Sequence, residues 1–218
     1  MNKDANFEFN QFYHVFNRTN NKEKLFKNLE NRKFFLRRYG FYLKPFVDIH
    51  AYALLGNHFH FSIRVKPQKE ISSYLNSIPL KEHTVAIKMY LESTDKKDRI
   101  NELIIAQHHR FFISYSQAIN KMFKRQGNLF SKKFKRSLFS KKYKFKYFQY
   151  YLHHNARKHD FVKSFKDYVH HSYFDIINGN DWLVDTTYVI EQFGSLQAFI
   201  DFHEKVHYSD KFEGLIIE

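Results

Sequence analysis

The stretch Val47-Asp-Ile-His-Ala-Tyr-Ala-Leu-Leu-Gly-Asn-His-Phe-His-Phe-Ser-Ile-Arg-Val65 decides the fold. Two apolar, β-prone runs, Val47 to Leu55 and His58 to Val65, flank Gly56-Asn57. A tight-turn pair between two such runs predicts a β-hairpin. Working outward, Phe12-Tyr-His-Val-Phe16 reads as a strand running into the polar loop Asn17-Arg-Thr-Asn-Asn21. Residues 28–42 place Leu29, Phe34, Phe35, Leu36 and Tyr39 at helical spacing, with Gly40 as a stop signal and Pro45 beyond it. Residues 66–106, with Pro67, Ser72, Ser73, Pro79 and the polar stretch Ser93–Arg99, read as an insertion of short helical pieces and a solvated loop. An amphipathic helix is expected from Arg110 to Arg125, a strand from Phe134 to Phe139 and a helix from Lys141 to His154. A further helical stretch is expected near Ser195–His207. The order predicts an α+β fold: a ferredoxin-like β-α-β-β-α-β sandwich with an antiparallel sheet, plus a C-terminal helical extension. The expected division is 1–174 for the sandwich, with its insertion at about 66–106, and 175–218 for the extension.

Charge separates those two parts. The 218 residues carry a net +14, yet residues 175–218 hold nine acidic and two basic side chains, so the remainder carries +21. Between Lys121 and Tyr150 stand eleven lysines and arginines and no acid, interleaved with Phe123, Phe130, Phe134, Phe139, Tyr143, Phe145 and Tyr147. Cations neutralise phosphates while aromatic rings stack on bases, so nucleic acid is the expected partner. The absence of cysteine excludes disulfides, thiolate-held zinc, iron–sulfur clusters and a thiol nucleophile. No apolar run of about 18 residues could span a membrane, and residues 1–11 lack the apolar core of a signal peptide. A cytoplasmic protein is expected.

The hairpin also carries chemistry. His58 and His60 stand two apart on one strand and so share a face, with Phe59 on the other. With 14 histidines, roughly one His-x-His arises by chance, so the pair needs context. Tyr151 and Asn155 supply it, four apart on one helical face. A phenol of pKa about 10 is a poor nucleophile unless a cation favours its phenolate or polarises its target. A divalent ion held by two imidazoles and an amide could do this at a phosphodiester.

With these blocks in place, the chain resembles the single-tyrosine HUH transposase family, which includes the REP-associated tyrosine transposases. The resemblance spans most of residues 12–175. It is carried in order by Phe12-Tyr-His-Val-Phe-Asn-Arg18, Ile49-His-Ala-Tyr-Ala-Leu-Leu-Gly-Asn-His-Phe-His60, Arg125-Gln-Gly-Asn-Leu-Phe-Ser-Lys-Lys-Phe-Lys-Arg136 and Tyr150-Tyr-Leu-His-His-Asn-Ala-Arg-Lys-His-Asp-Phe-Val162. It implies a transposase that nicks and rejoins single-stranded or hairpin DNA through a 5′-phosphotyrosine bond. Tyr151 is the implied nucleophile, His58, His60 and Asn155 are the implied ligands, and Mg²⁺ or Mn²⁺ is the implied cofactor. Arg18, Lys132, Lys133, Lys135 and Arg136 are the expected DNA-binding group. Three positions depart from the family pattern: Gly56 and Ala156 stand where proline is usual, and Asp160 where glycine is. His153 and His154 compete with Asn155 as ligand, and Tyr150 competes with Tyr151 as nucleophile. The alternatives are a hairpin-binding relative that no longer cuts and a single-stranded RNA binder of similar topology. Monomer and homodimer are both open at this point.

Overall fold

The computed structural model describes residues 4–20, 23–130, 133–139 and 142–205. Strand β1 (Phe12–Arg18) is followed by helix α1 (Leu29–Leu43) and then by the hairpin of β2 (Val47–Leu54) and β3 (His58–Val65). The hairpin closes as expected, with the Leu55 N–H donating to the His58 carbonyl at 2.9 Å. Helices α2 (Gln68–Ser77), α3 (Val85–Glu92) and α4 (Lys97–Met122) lead to β4 (Lys135–Leu138) and α5 (Lys142–Lys158). Three short helices follow, α6 (Tyr173–Ile177), α7 (Thr186–Phe193) and α8 (Leu196–Glu204). The four strands form one sheet in the order β2-β3-β1-β4, and every neighbouring pair is antiparallel.

Strand alternation sorts the sheet into two faces. Tyr13, Val15, Phe59, Phe61 and Ile63 are wholly buried and lie on the face covered by α1 and α4. Asn28 starts α1 by accepting the Asn31 N–H at 2.9 Å, and the helix turns Phe35, Tyr39 and Leu43 inward at four-residue spacing. Tyr39 stacks flat on Phe61 with centroids 3.8 Å apart, and Phe35 meets Phe59 and Phe111 at 5.0 Å. Each such ring, fully buried, contributes on the order of 1.5–3 kcal/mol. The opposite face, with Phe12, His14, Phe16, His58, His60 and Ser62, receives α5: Phe148 lies 4.8 Å from His14, and Gln149 Nε2 donates to Ser62 Oγ at 3.1 Å.

Two expectations need correction. Helix α4 starts at Lys97, not near Arg110. The charged approach looks solvated, but Asp95 accepts the Lys97 N–H at 2.8 Å, and Ile100, Leu103, Ile104, His108, Phe111, Tyr115 and Ile119 form one continuous buried stripe. Gly40 does not end α1. It sits inside the helix, where an added Cβ would come within 3.0 Å of Leu183 Cδ1, so it admits the C-terminal segment. Leu183 and Val184 of that segment are buried, while Trp182 is 44% exposed.

The C-terminal helices are fastened to β2 and α5. Tyr52 donates its hydroxyl to Asp175 at 2.7 Å, and the Asp185 N–H donates to the Ile49 carbonyl at 2.8 Å. The acidic residues beyond Lys205 lie outside the described chain.

Candidate functional site

The hairpin turn delivers His58 and His60 to the face that α5 covers, with ring centroids 5.1 Å apart and planes nearly perpendicular. His58 is half-buried, and its Nδ1 is 2.7 Å from Asn57 Oδ1. His60 is buried; its Nδ1 lies 2.8 Å from His14 Nε2, while its Nε2 has no hydrogen-bond partner among the described residues. Burial holds both His14 and His60 far below the ordinary imidazole range, His14 at about 3, and the neighbouring imidazoles and the Lys158 ammonium push His60 the same way. Both rings are therefore neutral, the form that offers a lone pair to a cation.

Helix α5 settles which tyrosine faces this pair. Tyr151 lies 6.3 Å from His60, ring to ring, and 6.0 Å from Phe148 on the same helical face. Lys158, two turns on, carries its ammonium 5.4 Å above the Tyr151 ring. Tyr150 points the other way: it stacks on His154 at 3.9 Å and borders Phe202 and His203 of α8. Asn155, one turn past Tyr151, is wholly buried, and neither its Oδ1 nor its Nδ2 has a hydrogen-bond partner among the described residues. An unpaired buried amide costs on the order of 1–3 kcal/mol, which a bound cation or water would offset.

The competing histidines have other work. His203 donates Nδ1–H to the Phe199 carbonyl at 2.8 Å, so its Nε2 accepts from His153 Nδ1 at 2.9 Å. His153 Nε2 meets Ser172 Oγ at 2.9 Å, and His154 donates to the His203 carbonyl at 3.1 Å. These two residues join α5 to α8 and do not turn toward the pair on β3. Among the described residues no three His, Cys, Asp or Glu side chains are placed to hold a metal ion. Two imidazoles with an orphaned nitrogen and an orphaned amide nevertheless fit a divalent cation that completes its shell with oxygen donors.

The expected DNA-binding cations divide between the two faces. Arg18 stands opposite His58 in the β1–β3 register, and Lys135 stands opposite Phe16, which is itself opposite His60. Both therefore belong to the site's face, and Lys133 is exposed just before β4. Arg136 pairs with Val15 on the other face, donates to the Ala5 carbonyl at 2.8 Å and lies over Phe7 and Phe134. It is part of the packing there. Lys132 lies outside the described residues. Sequence reading missed three members of the neighbourhood: His14, Lys158 and His159, whose ring is 5.9 Å from His58. For His14 a signal existed, since it shares strand parity with Phe16 and Arg18.

No protein-family model matches the chain, and no curated protein matches it. A solved structure does resemble it. That structure is a REP-associated tyrosine transposase bound to a REP hairpin, with TM-score 0.49 and 14% identity, over 84% of this chain and 86% of that one. Among the described residues no helix is long and apolar enough to cross a membrane.

Proposed function

We propose that this protein nicks and rejoins single-stranded DNA, at hairpin sequences, through Tyr151. In this reading β1–α1–β2–β3–α4–β4 is a ferredoxin-like unit, α5 is the nucleophile helix, and the protein is a transposase of the HUH type. The observation that carries it is the placement of Tyr151 beside His60 with an ammonium over its ring. His58, His60 and Asn155 would hold Mg²⁺ or Mn²⁺, the choice that phosphate and amide oxygens favour. When bound, such an ion withdraws charge from a phosphodiester oxygen.

The chain's own groups do the rest. Lys158 stabilises the phenolate that Tyr151 must approach as it loses its proton. The Tyr151 oxygen attacks phosphorus in line, a 5′-phosphotyrosine bond forms, and the 3′-oxygen leaves and takes up a proton. Rejoining is the reverse, with a 3′-hydroxyl attacking and the tyrosine oxygen leaving. Arg18, Lys133 and Lys135 supply sequence-independent phosphate contacts on the same side.

A second reading has its own observation: Tyr151 is only 4% exposed, which suits a hairpin-binding relative that does not cut. One experiment separates the two. Labelled single-stranded DNA from the flanks of the gene is incubated with protein and Mn²⁺ or EDTA, then run on a denaturing gel. A metal-dependent covalent adduct, lost in Tyr151→Phe and kept in Tyr150→Phe, is the expected result. Binding without an adduct selects the second reading, and an adduct that survives Tyr151→Phe removes Tyr151 as nucleophile.

A further inference from the structure

We propose that His14 is a positioning residue that fixes His60 as its Nδ1–H tautomer and so aims the Nε2 lone pair of His60 into the site. The inference rests on the reading of His60 as a metal ligand and names the residue that makes it one. His14 is buried on β1, two residues along the strand from the position opposite His60, and its Nε2 is 2.8 Å from His60 Nδ1. That contact holds one proton, so two arrangements are available. If His14 donates, His60 carries its own proton on Nε2, and the nitrogen facing the site cannot bind a cation. If His60 donates, its Nε2 is a bare lone pair. Among the described residues that nitrogen has no hydrogen-bond partner.

The surroundings hold His14 still enough to make this choice. Its ring stacks on Phe16 at 4.5 Å and meets Phe148 of α5 at 4.8 Å with the planes tilted by 58°, wedged between the sheet and the helix that carries Tyr151. A buried imidazole in that wedge does what a carboxylate or backbone carbonyl does behind many metal-bound histidines: it fixes tautomer and ring orientation. An uncharged His14 accepts the hydrogen bond from His60 without adding charge beside the cation.

Two readouts on the full-length protein test this, and neither is DNA cleavage. Long-range ¹⁵N–¹H correlation on metal-free protein reads the tautomer directly: Nδ1–H for His60 in the wild type is expected, and a mixture in His14→Phe. Titration with Mn²⁺, followed by the electron paramagnetic resonance signal of the free ion, should show affinity falling about tenfold or more in His14→Phe. His14→Gln, whose amide oxygen can still accept from His60, should stay within about threefold of the wild type. Thermal melts show whether each variant folds. An Nε2–H tautomer in the wild type, or wild-type Mn²⁺ affinity in folded His14→Phe, overturns the inference. If His58→Ala and His60→Ala abolish binding while His14→Phe does not, the metal reading survives and this one fails. Wild-type protein that binds no Mn²⁺ removes both.

Discussion

Replacing His50 with phenylalanine should make the protein less sensitive to acid, by an amount that follows from where the ring sits. His50 occupies an irregularity in the β2–β3 register, is wholly buried among Phe12, Phe145 and Tyr188, and has no hydrogen-bond partner at either nitrogen among the described residues. Desolvation, and secondarily the Arg64 guanidinium, push its pKa down to about 3. In the unfolded chain the same ring titrates near 6.5. The unfolded state therefore takes up a proton below pH 6.5 that the folded state refuses. The stability tied to this group is complete above that pH and is lost as pH falls toward 3. Between pH 7 and pH 5.5 the loss amounts to a factor of about eight in the folding equilibrium, or about 1.2 kcal/mol. For a chain of this length that corresponds to a melting-temperature difference of roughly 2–5 °C. Urea unfolding at both pH values, for wild type and His50→Phe, measures it. The variant's overall stability can shift either way without affecting the test, because only the change between the two pH values is compared. Agreement of those changes to within about 0.3 kcal/mol would show that the ring is not dry and would refute the reasoning.

Three other outcomes are expected. Asp160 closes α5 with a left-handed φ of 57°, so Asp160→Gly should stabilise by about 1 kcal/mol and raise the melting temperature; a lower one would show that its side chain matters more than its backbone. His203→Ala strips the partner from His153 Nδ1 and opens a cavity under α8, so it should cost about 2–4 kcal/mol and speed amide exchange along α5, whereas unchanged exchange would uncouple the two helices. Lys135→Ala should lower the slope of log affinity for single-stranded DNA against log salt by about one. Arg136→Ala, with its side chain committed to Ala5, Phe7 and Phe134, should leave that slope unchanged and lower the melting temperature.

Local pattern alone determined the hairpin, the shared face of His58 and His60, α1 and the common face of Tyr151 and Asn155. Each depends on spacing within a few residues, and strand and helix periods translate such spacing directly into direction. The same logic failed between Lys97 and Arg99, where charge suggests a loop and α4 has already begun, and at Gly40, whose reason for being glycine lies about 140 positions away at Leu183. Tertiary structure decided everything that depends on what lies opposite. Tyr150 and Tyr151 have the same chemistry, and only the docking of α5 turns one to His60 and the other to α8. Lys135 and Arg136 are equivalent in a basic run until pairing with β1 sends them to opposite faces of the sheet. His14 is an ordinary strand histidine until β3 brings a second ring to 2.8 Å. Composition fixes how much charge and how many rings the chain holds, but a hydrogen bond forms only between groups that the fold has already brought together.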